Sequence, residues 1–114
     1  MIINRKNSKS YQWGDHCKAW ELLQSDHVII KEELMPPQTE EQLHYHVKTE
    51  QFFYVLEGEA TFVIDKKNVL VSKKDGLKIE IGQQHKIANK SSVNLRFLVL
   101  SFPGNPADRI NLTP

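Results

Sequence analysis

The sequence predicts an all-β sandwich or barrel, and three observations carry that expectation. Short runs rich in β-branched and aromatic residues recur with turn signals about every eight to twelve residues. No stretch carries a helical period of apolar residues. Leu77-Lys78-Ile79-Glu80-Ile81 alternates strictly between apolar and charged residues, as a half-buried strand does.

Taken in order, residues 1–10 show no clear period and read either as an arm or as a first edge strand. Trp20 to Leu23 reads as a short strand, closed by a polar turn at Gln24-Ser25-Asp26. Val28 to Met35 is a second strand, and it stops at Pro36-Pro37, whose nitrogens carry no hydrogen to continue a ladder. Pro36 to Leu43 is a polar, acidic loop that delivers the chain to His44-Tyr45-His46. Gln51 to Glu57 is an apolar run ended by Gly58, the pattern of a buried strand entering a turn. Glu59 to Ile64 and Val69 to Val71 form a hairpin through the charged connection Asp65-Lys66-Lys67-Asn68. After a turn at Lys73 to Gly76 and the alternating strand, Gly82 turns the chain toward His85. Asn89 to Ser92 is a turn, and Leu95 to Leu100 is the last strong strand. One domain spanning residues 1–114 is expected, with a core over about 20–101, an N-terminal arm over 1–12 and a C-terminal tail over 102–114 that packs across the barrel.

Fifteen basic and fourteen acidic residues nearly cancel and are interspersed, so no large single-sign field selects nucleic acid or an anionic membrane surface as partner. The lone cysteine, Cys17, excludes an intrachain disulfide framework. With neither a secretory leader nor a long apolar run, a cytoplasmic protein is the expectation.

The chemistry is concentrated in two places. His44 and His46 sit one residue apart, and on an extended segment their imidazoles project to one face. Past them, Gln51 stands seven residues before Gly58; further on, Gly82, His85 and Asn89 follow the spacing Gly-x-x-His-x-x-x-Asn. These two motifs together resemble those of the cupins, over about residues 36–89. The sequence departs from the family pattern at three positions, with Gln51 where a carboxylate is usual, Glu80 where proline is usual and Lys74 where glycine is usual. The resemblance implies a double-stranded β-helix, a jelly-roll barrel, holding a divalent transition metal: Fe, Ni, Mn, Cu or Zn. It implies His44, His46, Gln51 and His85 as ligands, with Glu50 replacing Gln51 if the strand slips by one residue.

A metal-binding cupin acting on a small oxygenated metabolite, as a dioxygenase or isomerase, is one expectation. A non-catalytic module that binds or senses a sugar or metabolite is the other, motivated by the missing carboxylate. Both anticipate a small-molecule ligand, and both anticipate a homodimer, because Phe52 to Leu56 and Phe97 to Leu100 offer more apolar strand surface than one interior uses. No general base is assignable. His16 and His27 read as surface or loop histidines, Cys17 as buried and unreactive, and most of Phe52, Phe53 and Tyr54 as packing residues. Arg96 and Arg109 read as holding Asp108 and the tail in preference to a substrate carboxylate. Phosphate-loop, serine-triad and paired-cysteine patterns are absent from the sequence.

Overall fold

In the computed structural model the chain is described over residues 1–112; the last two residues of the tail, Thr113 and Pro114, lie outside the described residues. Two antiparallel sheets face one another as a jelly roll. The first runs in the order β1 (Lys9–Trp13), β2 (Cys17–Gln24), β3 (Ile29–Met35), β11 (Leu95–Phe102), β6 (Glu50–Glu57) and β9 (Gly76–Ile79). The second runs β12 (Ile110–Asn111), β5 (His44–Tyr45), β10 (His85–Asn89), β7 (Ala60–Ile64) and β8 (Lys67–Val71), with β4 (Thr39–Glu40) also pairing with β10.

Period-two alternation decides which side chains enter the barrel. On β6, Gln51, Phe53 and Val55 are buried while Phe52 and Tyr54 turn outward and stack on each other at 6.5 Å. On β11, Leu95, Phe97 and Val99 are buried. Phe53, Phe62 and Phe97 meet in the core, with Phe53 5.0 Å and 5.7 Å from the other two by ring centroid. Cys17 closes this core and is fully buried, and burial pushes its thiol up from the ordinary range, which suits an unreactive residue.

Several elements differ in extent from the sequence reading. Residues 9–13 form an edge strand, registered so that Trp13 lies opposite Cys17. The strand read from Trp20 begins at Cys17, because this pairing extends it. The 36–43 loop contains the short β4, which uses the one free edge of β10 beyond β5. The alternating strand over 77–81 stops at Ile79, since Gly82 bonds back to the carbonyl of His46 and bends the chain toward the second sheet.

Gly58 and Gly82 both adopt left-handed backbone, at φ +83 and +77, but their surroundings differ. A Cβ on Gly58 would lie 2.5 Å from the Asn94 carbonyl oxygen, whereas one on Gly82 would meet nothing within 4 Å. Gly58→Ala is therefore expected to cost about 3 kcal/mol or more, conformational strain plus overpacking. Gly82→Ala is expected to cost only the conformational part, about 1 kcal/mol. Urea denaturation of the two variants side by side measures the difference, and equal losses would contradict this account of the Gly58 turn.

Candidate metal centre

The pairing of β5 with β10 places His44 directly opposite His85, and His46 follows at the end of β5. All three imidazoles turn inward: His44 is 2%, His46 7% and His85 0% exposed. One ring nitrogen from each lies within 4.8 Å of the others, so the three can grip a single metal ion.

Their tautomers follow from their backbone partners. The Nδ1 of His44 lies 2.8 Å from the Gln42 carbonyl oxygen, that of His85 2.8 Å from the Gln83 carbonyl, and that of His46 meets the Asp108 carbonyl. A carbonyl oxygen only accepts, so each Nδ1 carries the hydrogen and each Nε2 keeps its lone pair. Burial, with neighbouring His85 and Arg109 adding to it, lowers the His44 pKa to about 3. Burial likewise lowers that of His85 to about 4. Both rings are thus neutral, the ligating form, throughout the physiological range.

Gln51 reaches the same point from β6. Its Oε1 lies 3.1 Å from His46 Nε2 and 3.2 Å from His85 Nε2, while its own Nε2 donates to Ser101 Oγ at 2.9 Å. With both Nδ1 atoms protonated, three lone pairs converge with no hydrogen between them. A cation satisfies all three together, and this donor set fits a divalent metal. Glu50, one residue earlier, points to the opposite face and pairs with Lys78 at 2.8 Å.

Asp108 holds the frame. Its carboxylate accepts the backbone amides of Val47, Lys48 and Thr49 at 2.8–2.9 Å, and its own carbonyl takes the His46 Nδ1 hydrogen. Burial pushes this carboxyl up, but the three amides more than offset it and hold its pKa below the ordinary value. Sequence reasoning placed an arginine on Asp108; the structure corrects this. Arg96 faces the outside of the first sheet and bonds Glu57 at 3.1 Å and Glu32 at 3.2 Å, because even-numbered β11 residues point away from the barrel. Arg109 approaches Glu41 at 3.7 Å and donates to Asn111 at 2.8 Å.

Beside the histidines lies a cavity of about 330 Å³. Its walls include residues that the sequence reading passed over: Tyr11, Trp13, Lys31, Glu33 and Glu41, together with Arg109. Burial raises the Glu33 pKa to about 7, opposed by Lys31, Trp13 and Arg109. Burial raises that of Glu41 to about 8, opposed by Arg109 and reinforced by Glu33. A signal for Lys31 and Glu33 did exist, since they share a period-two face with Ile29 and Met35, the buried ends of the same strand. His16 and His27 are exposed and take no part in the cluster.

The family model described as "Cupin domain" matches residues 31–101. An uncharacterized protein of Methanocaldococcus jannaschii is 32% identical over 74 residues, 65% of this chain. That match spans only 59% of the relative's own length. An oxalate-binding protein of Thermotoga maritima is 25% identical over 99 residues, 87% of this chain and 82% of its own length. Among solved structures, the polyketide cyclase RemF of Streptomyces resistomycificus superposes with a TM-score of 0.83 at 20% identity, covering 100% of this chain and 86% of that one.

Asp108 is within reach of experiment. Asp108→Asn keeps the side chain's size but turns an NH2 toward an amide donor, so a loss of about 2–3 kcal/mol in urea denaturation is expected. Because His46 loses its fixed carbonyl, affinity for Ni2+ in calorimetry is expected to fall about tenfold or more. Unchanged affinity would show that Asp108 does not position His46.

Proposed function

The chain belongs to the cupin domain family, and from that premise we propose that it holds one divalent transition metal through His44, His46, His85 and Gln51 and presents it to a small oxygenated metabolite in the adjoining cavity. The observation that carries this is the convergence of buried imidazole lone pairs, each fixed by an Nδ1–H bond to a backbone carbonyl. When bound, the ion would supply Lewis acidity, polarising and orienting a ligand oxygen. The chain's own part is to keep the imidazoles neutral, to hold Gln51 against Ser101, and to exclude bulk water from the floor of the cavity. Iron, nickel, manganese, copper and zinc all suit such ligands, so the set does not select one ion.

A non-catalytic binding module is the second reading, and Gln51 favours it. A neutral amide leaves the ion's charge uncompensated, which weakens its hold compared with a carboxylate. Metal analysis of protein purified without a histidine tag, followed by calorimetric titration, tests the site. One ion per chain is expected, with affinity lost about 100-fold or more in His85→Ala and gained about tenfold in Gln51→Glu, which adds a ligating charge. A protein that neither retains nor takes up an ion ends this proposal. A change in turnover of a cavity ligand with Gln51→Glu favours the enzyme, and unaltered ligand binding favours the module.

We also propose that two copies pair through the outer face of the first sheet, where Ile30, Leu34, Phe52, Tyr54, Leu98 and Leu100 turn their side chains away from the barrel. Size-exclusion chromatography with light scattering is expected to give twice the 13.2 kDa chain mass, and Leu98→Asp to give the single-chain mass. A wild-type mass of 13.2 kDa would remove the pairing.

A further inference from the structure

We propose that the cavity beside the histidines receives a small oxyanion, whose carboxylate or phosphate oxygens sit against Lys31, Arg109 and the Trp13 indole N–H. This deepens the preceding proposal, and rests on it in assigning the other end of the ligand to the ion. The argument comes from counting which hydrogen-bonding groups on the wall are already used.

Donors are left over. Trp13 Nε1 is buried and faces Glu33, whose pKa it helps to lower, but no acceptor among the described residues lies in ordinary hydrogen-bond geometry with it, and an indole can only donate. The Tyr11 hydroxyl oxygen accepts from Lys31 Nζ at 2.8 Å, which leaves its own hydrogen uncommitted and two more on Lys31. Ser101 Oγ accepts from Gln51, so its hydrogen too is uncommitted. Asn111 Oδ1 is taken by Arg109 Nε, which leaves the amide hydrogens of Asn111. The nearest carboxylate to the Arg109 terminal nitrogens is Glu41 at 3.7 Å, too far for a hydrogen bond.

With the histidine Nε2 atoms and Gln51 Oε1 committed to the ion, acceptors are scarce by comparison. The Asp108 carboxylate is occupied by three backbone amides, and one Glu41 oxygen by the Ile87 amide. Glu33 and the second Glu41 oxygen remain, the latter 3.7 Å from Arg109, and burial disfavours the charged form of Glu33. Of these donors Trp13 Nε1 is the buried, unpaired one, at a cost of about 1–3 kcal/mol, while Tyr11, Arg109 and Asn111 are open to solvent; a ligand is selected by the acceptor it brings to the indole and the charge it offers the two cations. A neutral polyol carries a hydroxyl donor with every hydroxyl acceptor and cannot correct the imbalance. An oxyanion contributes acceptors alone, and its charge meets Lys31 and Arg109.

Calorimetric titrations with malonate, inorganic phosphate and glycerol test this, on both ion-free and Ni2+-loaded protein. At least one anion is expected to bind tenfold or more tightly than glycerol, and which one binds separates a carboxylate from a phosphate ligand. Lys31→Met and Trp13→Phe are each expected to weaken that anion fivefold or more while Ni2+ affinity, titrated separately, stays within twofold. Lys78→Met, on the outer face, is expected to change neither. Anion selectivity that survives in protein unable to take up Ni2+ supports this inference while the metal reading fails. Glycerol binding as well as both anions, no measurable binding of either anion, or an anion affinity indifferent to Lys31→Met and Trp13→Phe would overturn it, even with Ni2+ bound.

Discussion

Three hydrogen bonds from imidazole Nδ1 to backbone carbonyls set the character of this molecule's interior. They decide which nitrogen of each ring is protonated, which way each ring faces, and therefore that three lone pairs meet in one place. The carbonyls come from three separate parts of the chain, at Gln42, Gln83 and Asp108, so the arrangement exists only once both sheets and the tail have closed. Burial of neutral rings follows from the same bonds, since a ring whose Nδ1–H is satisfied is much cheaper to desolvate than one left unpaired.

Local pattern carried much of this architecture into the sequence. The His-x-His pair, the buried run to Gly58 and the Gly-x-x-His-x-x-x-Asn spacing are short-range features, and period two tells which of their residues share a face. That is why His44, His46 and His85 were legible, and why Gln51 and Glu50 were separable once the strand register was known. Long-range partners were not. Asp108 acts on residues 47–49 from about 60 positions away, with no motif to mark it, and Arg96 turned outward with its strand toward Glu32 and Glu57. Lys74 departs from the family's glycine, yet its backbone sits at φ +69, so the glycine-type conformation is retained at a residue that adopts it only under constraint. There Lys74 N bonds the Val55 carbonyl, and that tertiary bond supplies the constraint.

The wall of the cavity reflects a division within one strand. At its ends β3 places Ile29 and Met35 in the apolar interior, and at its middle it places Lys31 and Glu33 on the same face, where the barrel is not filled by core. Polar residues on an inward face are costly in a closed core, and here they line a space that water or a ligand can occupy. The aromatic cluster of Phe53, Phe62 and Phe97 belongs to the core, and Phe53 and Phe97 also form the apolar part of the cavity wall.

Charge links this wall to the histidine cluster. Three imidazoles and an amide contribute no negative charge, so a divalent ion held by them keeps its two positive charges inside a region that already contains Lys31 and Arg109. Asp108, Glu33 and Glu41 are the carboxyls on the cavity wall; Asp108 is committed to three backbone amides, and desolvation works against the ionisation of the other two. A carboxylate in place of Gln51 would offset one of those charges from within the barrel; the amide leaves that to whatever enters the cavity. With an ion held as proposed, Gln51 would transfer part of the site's electrostatic balance from the protein to the ligand, in favour of an anion.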